Sequence, residues 1–159
     1  MAHNQHLDAE DASRADKPGG ADPLAGEPVF VYGTLQRGHN NHHWLAGAGF
    51  VGERQLGGAR LFDLGPFPMA VAADATDDHD LAAAADSAIA PIHGELYRVS
   101  ANGLAQLDLL EGCPRLYGRH WLQLLDGSHA WVYLGRPRQV RHARLLADGR
   151  WRGRGRTQT

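Results

Sequence analysis

The sequence predicts an α+β domain: a small mixed β-barrel of short strands with short flanking helices. Three observations support this prediction. Apolar, strand-forming segments recur along the chain and are separated by glycines. One longer segment, which follows Ser100, carries its leucines at helical spacing instead. Asp126-Gly127 lies between two strand-like segments and is the strongest hairpin signal in the chain.

The predicted elements follow one another closely. The first strand is predicted at residues 29–32 and ends at Gly33, and Asn40 or Asn41 can cap a short helix through residues 43–45. Residues 74–90, rich in alanine and aspartate, are compatible with a loop or with a weak helix. The remaining strands are predicted at residues 50–56, 59–64, 69–73, 91–99, 119–125 and 129–134.

Composition divides the chain into three parts. Residues 1–27 contain no aromatic and no β-branched residue, so burial cannot offset the entropy of ordering them, and they are predicted to be a flexible lead-in. The folded domain is predicted at residues 28–137. Residues 138–159 are predicted to form an Arg-rich, solvated tail.

Charge is distributed unevenly between these parts. Residues 1–135 contain 17 Asp and Glu against 8 Lys and Arg, whereas residues 136–159 contain 8 Arg and one acidic residue. An acidic body disfavours binding of polyanions, and only the tail could contact the phosphates of a nucleic acid. We expect the tail to aid solubility and expect no nucleic-acid partner for the folded part.

Several other classes of protein are excluded. No apolar run approaches the roughly 18–20 residues that cross a bilayer, and the first residues lack the order of a signal peptide. The single cysteine, Cys113, excludes an internal disulfide framework. We therefore expect a cytoplasmic protein with no membrane partner. The sequence does not indicate its oligomeric state.

The first candidate functional segment is VFVYGTLQRG, residues 29–38. A buried strand that ends in Gly33-Thr34 can present successive backbone N–H groups, which bind an anion or a developing oxyanion. Gly33 lets a ligand approach the backbone closely. The segment is not a P-loop, because no Gly-Lys-Ser/Thr follows it. Its spacing is equally compatible with an ordinary exit from a strand into a turn.

The second candidate segment is LDLLEGCPRLYGR, residues 107–119. Ser100 caps the helix that leads into it, and the leucines of this helix define one apolar arc. If the helix continues, Glu111 lies on that arc, where burial would raise the pKa of its carboxyl and suit it to act as a base. If the helix ends earlier, Gly112 and Pro114 turn Glu111 toward solvent. The sequence leaves both alternatives open.

These segments carry a family resemblance. VFVYGTLQRG, PIHGELYRV and LEGCPRLYGR occur in the same order as in the gamma-glutamylcyclotransferase-like (AIG2-like) family, which the chain resembles over residues 28–134. The likeness is strongest to its gamma-glutamylamine cyclotransferase branch. It implies the family's fold and the conversion of a gamma-glutamyl amine into 5-oxoproline and a free amine. It implies neither a metal nor an organic cofactor.

The resemblance also implies roles for individual residues. Glu111 matches the family's proton acceptor, which would allow the substrate's own α-amine to attack its γ-carbonyl. Two alternatives remain open, a non-catalytic ligand-binding member of the same fold and a cyclotransferase acting on gamma-glutamyl amino acids. The implied substrate-binding positions are Tyr32, Gly33, Thr34, Leu35, Pro68, Met69 and Tyr117.

Other reactive side chains fit structural roles better. His39, His42 and His43 are clustered, but adjacent histidines cannot easily share one ion, so no metal site is predicted. Cys113 has no base identifiable beside it in the sequence and is predicted to be a small buried hydrophobe.

Two acidic residues are rivals of Glu111. Glu95 shares a strand face with His93 and Tyr97, which favours a structural hydrogen bond. Asp108 is predicted to orient or cap a neighbour. Three tryptophans are predicted in the core or the pocket wall, namely Trp44, Trp121 and Trp131.

Overall fold

The computed structural model describes residues 26–74 and 89–153 of the chain. Predictions for residues 1–25, 75–88 and 154–159 lie outside these described residues. Within these described residues the chain forms eight strands and one α-helix, which confirms the predicted α+β class. The elements are β1 (Glu27–Val31), β2 (Gly49–Leu56), β3 (Ala59–Asp63), β4 (Pro68–Ala72), β5 (Ile92–Val99), α1 (Ala101–Leu110), β6 (Gly118–Gln123), β7 (His129–Leu134) and β8 (Arg144–Leu145), with short 3-10 helices at His42–Leu45 and Pro137–Val140.

The larger sheet has five strands in the order β2-β5-β1-β7-β6. Its central strand, β1, pairs antiparallel with β5, with Val31 opposite Glu95, and parallel with β7. Val29 and Phe30 in β1 are fully buried, as expected for a strand covered on both faces. The end of β1 therefore lies at the middle of the larger sheet and not at one of its edges.

The predicted hairpin at Asp126-Gly127 joins β6 to β7. Gly127 has a φ of 92°, a conformation that glycine adopts without a steric penalty. The Asp126 carboxylate accepts hydrogen bonds from the backbone N–H and the hydroxyl of Ser128. This arrangement confirms the hairpin.

The strands do not close into a barrel, which corrects that part of the prediction. β3, β4 and β8 form a separate three-stranded sheet, in the order β4-β3-β8. In the larger sheet, β2 and β6 are the two edge strands, and Leu125, which follows β6, donates its N–H to the Gln55 carbonyl of β2 at 2.9 Å. One such bond cannot form a ladder, so the larger sheet stays open.

Ordered packing extends beyond the predicted domain boundaries. Val140 and Trp151 are buried, with 1% and 7% of their surface exposed, and β8 pairs with β3. Residues 138–153 thus belong to the folded domain, and the predicted tail begins too early, because two apolar side chains in an Arg-rich segment fill the core. At the other end, β1 begins at Glu27, whose carboxylate accepts a hydrogen bond from Trp131 Nε1 at 3.2 Å.

The described residues contain no helix that is long and apolar enough to cross a membrane. Two clusters of buried side chains make up the core. One centres on Val29, Met69 and Leu107, and the other on Phe30, Ile92 and Val132. Neighbouring residues of β1 thus contribute to different clusters, as strand alternation requires.

Candidate active site

Helix α1 carries Glu111 at its end. The Ser100 hydroxyl caps the helix by accepting a hydrogen bond from Gly103 N–H at 2.9 Å, and Leu107 is fully buried beneath it. The helix ends at Leu110, and Gly112, with a φ of 67°, turns the chain. Glu111 is therefore the C-cap, yet its side chain lines a cavity instead of facing solvent. The helix ends before Glu111, as the second alternative predicted, but the Glu111 side chain faces inward, as the first alternative predicted.

The turn after β1, residues 33–37, lines the same cavity and is called the β1 turn below. Its carbonyl groups are engaged by donors from the same chain. The Gly33 carbonyl accepts from Gln36 N–H, the Thr34 carbonyl accepts from Asn41 N–H, and His42 Nδ1 lies 3.0 Å from the Leu35 carbonyl. In a planar trans peptide the N–H points away from the C=O. The N–H groups of Thr34 and Leu35 therefore point away from these partners.

The cavity between these elements has a volume of about 220 Å³. Glu111 is the one ionisable carboxyl in its wall, and no lysine or arginine lines it within the described residues. Its wall consists of Phe30, Val31, Tyr32, Gly33, Thr34, Leu35, Asn40, Asn41, Pro66, Phe67, Pro68, Leu110, Glu111, Leu116, Tyr117 and Tyr133.

Burial dominates the electrostatics of Glu111. Removal of its carboxyl from water raises the pKa from an ordinary 4.5 to about 7. The same carboxyl contributes to raising the pKa of Tyr32 and of Tyr117, after the larger effect of their own burial. Near neutral pH the Glu111 carboxyl can therefore both accept and return a proton.

Three tyrosines form a rigid wall of the cavity because their hydroxyls are engaged elsewhere. Tyr32 donates to the Tyr133 carbonyl and accepts from Ala70 N–H at 3.1 Å. Tyr117 donates to the Pro68 carbonyl at 2.6 Å, and Tyr133 donates to Asp108 at 2.7 Å. These bonds fix the ring positions.

The structure gathers seven of the eight residues that the sequence assigned to the site. The exception is Met69, which is fully buried in the core and absent from the cavity wall. Adjacent side chains of a strand point to opposite faces, so when Pro68 faces the cavity, Met69 cannot. The residues around the cavity are Tyr32, Gly33, Thr34, Leu35, Pro68, Glu111 and Tyr117.

Sequence reasoning missed Asn41, Phe67 and Tyr133 as wall residues. Asn41 Nδ2 donates to the Thr34 hydroxyl at 3.0 Å, so its side chain supports the β1 turn instead of capping the 3-10 helix. A polar side chain next to a predicted helix start could have indicated either role. Phe67 and Tyr133 gave no signal, because each resembles an ordinary core aromatic.

The rival residues take the structural roles predicted for them. Glu95 accepts hydrogen bonds from Arg37 and Tyr97, and Asp108 accepts from Arg119 Nε at 2.8 Å. Trp131 is buried, but Trp44 is 42% exposed, so its prediction as core or pocket wall was wrong. The 3-10 helix that carries Trp44 is too short to bury more than one side, which Leu45 occupies.

Within the described residues, His42 and His43 face backbone carbonyls, and no cluster of three potential metal ligands is found. Cys113, which is partly buried, follows Glu111 by two residues. It is not part of the cavity wall.

Fold and cavity together define an α+β protein in which a partly buried carboxyl and a glycine-containing turn line the same cavity. The chain belongs to the family described as gamma-glutamyl cyclotransferase, AIG2-like, whose model matches residues 29–153.

Two relatives illustrate the family. The gamma-glutamylcyclotransferase family protein YtfP of Escherichia coli K12 is 32% identical over 123 residues, 77% of this chain and 94% of that protein. Gamma-glutamylaminecyclotransferase A of Danio rerio is 35% identical over 111 residues, 66% of each chain.

Solved structures show the same fold. The solution structure of ytfP from Escherichia coli has a TM-score of 0.55 and 31% identity, covering 78% of this chain and 95% of that one. An AIG2-like protein of Mus musculus has a TM-score of 0.59 at 23% identity, covering 79% of this chain and 88% of that one, a likeness of fold.

Proposed function

We propose that this protein is a gamma-glutamylamine cyclotransferase, which converts a gamma-glutamyl amine into 5-oxoproline and the free amine. The observation that carries the proposal is the Glu111 carboxyl, whose pKa is raised by burial to about 7, in one cavity with the β1 turn. A group that binds and releases a proton near neutral pH suits this reaction, which must move two protons from the attacking nitrogen to the leaving nitrogen.

The reaction needs no nucleophile from the enzyme. The substrate's α-amino nitrogen attacks its own γ-carbonyl carbon and closes a five-membered ring, and the bond from that carbon to the leaving nitrogen then breaks. Glu111 accepts one proton of the α-ammonium group and donates it to the leaving nitrogen. The attacking nitrogen loses a second proton as it becomes the lactam N–H, and Glu111 passes this proton to the released amine. Holding the chain in a folded conformation supplies much of the rate, since effective molarities reach about 10⁵–10⁸ M.

The β1 turn supplies the complementary electrostatics. The N–H groups of Thr34 and Leu35 point away from the groups that bond the carbonyls of this turn, and they suit a carboxylate or a developing oxyanion. One donor to an oxyanion is typically worth about 3 kcal/mol. Tyr32, Pro68 and Tyr117 would shape the rest of the pocket.

The composition of the cavity wall favours an amine over an amino acid as the leaving group. A gamma-glutamyl amino acid carries a second carboxylate, and no lysine or arginine among the described wall residues would pair with it. Phe67, Pro66 and Leu116 instead offer apolar contact to a carbon chain. The zebrafish relative, named for gamma-glutamylamines, supports the same assignment.

The test is release of 5-oxoproline from a panel of gamma-glutamyl amines and gamma-glutamyl amino acids. Wild type should turn over an amine substrate, and Glu111→Gln should lose roughly 10²-fold or more of kcat, because general acid–base catalysis typically contributes that much. Glu53→Gln is the matched control, since the Glu53 side chain is 81% exposed on β2 and should keep full activity.

Each contrary outcome has a distinct meaning. Turnover that survives Glu111→Gln would refute the role of Glu111, whereas the proposed reaction would still stand. Preferred turnover of gamma-glutamyl amino acids would refute the choice of leaving group. If wild type binds panel members without releasing 5-oxoproline, the protein is a non-catalytic binding protein of the same fold.

A further inference from the structure

The mechanism above leaves one buried carboxylate unused. Glu95 lies on β5 with 8% of its surface exposed, and it is not part of the cavity wall. A buried carboxylate is costly unless hydrogen bonds and an opposite charge compensate it. Its partners therefore indicate what it does.

Glu95 binds Arg37, the last residue of the β1 turn, and Tyr97, a neighbour on its own strand. Oε1 accepts hydrogen bonds from the backbone N–H of Arg37 at 3.0 Å and from the Tyr97 hydroxyl at 2.9 Å. Oε2 accepts from Arg37 Nε at 3.2 Å. The Arg37 guanidinium also lies 4.2 Å above the Phe50 ring, which holds it in place. One carboxylate thus binds both the backbone and the side chain of Arg37.

The sheet register makes these contacts a constraint on the whole turn. Val31, the last residue of β1, is paired with Glu95 in the β1–β5 ladder. The chain then leaves the sheet, passes the cavity at residues 33–35, and returns at Arg37 to the side chain of the same Glu95. Both ends of the turn are therefore held at one position of β5.

We propose that Glu95 is a positioning residue for substrate binding. It holds the β1 turn so that the N–H groups of Thr34 and Leu35 keep the direction needed to bind the substrate's α-carboxylate. The substrate named in this inference rests on the proposed function. The contacts by which Glu95 holds the β1 turn do not depend on it. Glu95 acts through Arg37 and does not touch the reacting atoms.

The kinetic test is Glu95→Gln, which keeps the shape of the side chain and removes its charge. Hydrogen bonds to charged groups contribute more than neutral ones, so we expect KM to rise roughly tenfold or more, with kcat within about threefold of wild type. The pH dependence set by Glu111 should be unchanged. A merely structural role would lower the active fraction, and hence kcat, without changing KM.

Two other variants sharpen the comparison. Glu53→Gln makes the same chemical change on an exposed carboxylate 3.8 Å from Arg37, and it should leave KM unchanged. Arg37→Ala retains the backbone N–H that donates to Glu95, so KM should rise less than in Glu95→Gln. If Glu95→Gln does not fold, Tyr97→Phe removes one hydrogen bond to the carboxylate and should raise KM by a smaller factor.

A measurement without turnover separates this inference from the proposed function. Amide hydrogen exchange at Gln36 and Arg37 should accelerate about tenfold or more in the folded Glu95→Gln variant, because loss of the charged acceptor frees the turn. Binding of 5-oxoproline should weaken in parallel. Unchanged exchange, or an unchanged KM in an active variant, would overturn the inference. Wild type without activity would refute the proposed function alone, since exchange would still report on the turn.

Discussion

The raised pKa of Glu111 predicts that removing its charge stabilises the protein at alkaline pH. The native state binds the Glu111 proton more tightly than the unfolded chain does, because the carboxyl is taken out of water. The stability contributed by this group is fully present below pH 4.5, its ordinary pKa, and is lost as the pH rises through about 7. The substitution Glu111→Gln removes this dependence.

The magnitude follows from the two pKa values. A shift from 4.5 to about 7 corresponds to about 3 kcal/mol, at about 1.4 kcal/mol for each tenfold change in proton affinity. At about pH 8 the variant should therefore be more stable than wild type by up to about 3 kcal/mol. At about pH 5 the difference should fall below about 1 kcal/mol, because the native carboxyl is then protonated.

Urea unfolding of both proteins at the two pH values measures this difference. Comparing the change between pH values, and not the absolute free energies, cancels the titration of all other groups. Glu53→Gln, which makes the same chemical change on an exposed carboxylate, is the matched control in the same measurement. Equal stability differences for Glu111→Gln at both pH values would refute the assignment of a desolvated carboxyl at this position.

Two further substitutions test the site and the boundary of the fold. In Gly33→Ala the new Cβ would lie 2.8 Å from the Pro68 ring, so the wall must shift and kcat/KM should fall about tenfold or more, whereas Gly49→Ala meets no close atom. Activity assays of both variants decide this, and equal values would contradict it. Trp151→Ala should lower the free energy of unfolding by about 3–5 kcal/mol, against little change for the exposed Trp44→Ala. Equal unfolding midpoints would show that residue 151 lies outside the core.

The class of fold and most of the local elements could be predicted from the amino-acid sequence. The Ser100 cap and the turn at Asp126-Gly127 act over a few residues, so their outcome does not depend on distant contacts. The motif order identified the family and, through it, Glu111. Caps and turns depend on a few neighbouring residues, and family motifs are continuous segments. Both can therefore be recognised in the sequence without knowledge of the fold.

How these elements pack against one another depends on contacts between residues far apart in the sequence. Whether Glu111 faces solvent or a cavity depends on β1 and β4, which are distant from it in sequence and line the same cavity. The contact between Glu95 and Arg37 was equally hidden, because the two residues are 58 positions apart in the sequence. Met69 and Trp151 were misplaced because burial depends on which face of an element the rest of the chain covers. Long-range packing, and not residue type, sets the environment of each of these side chains.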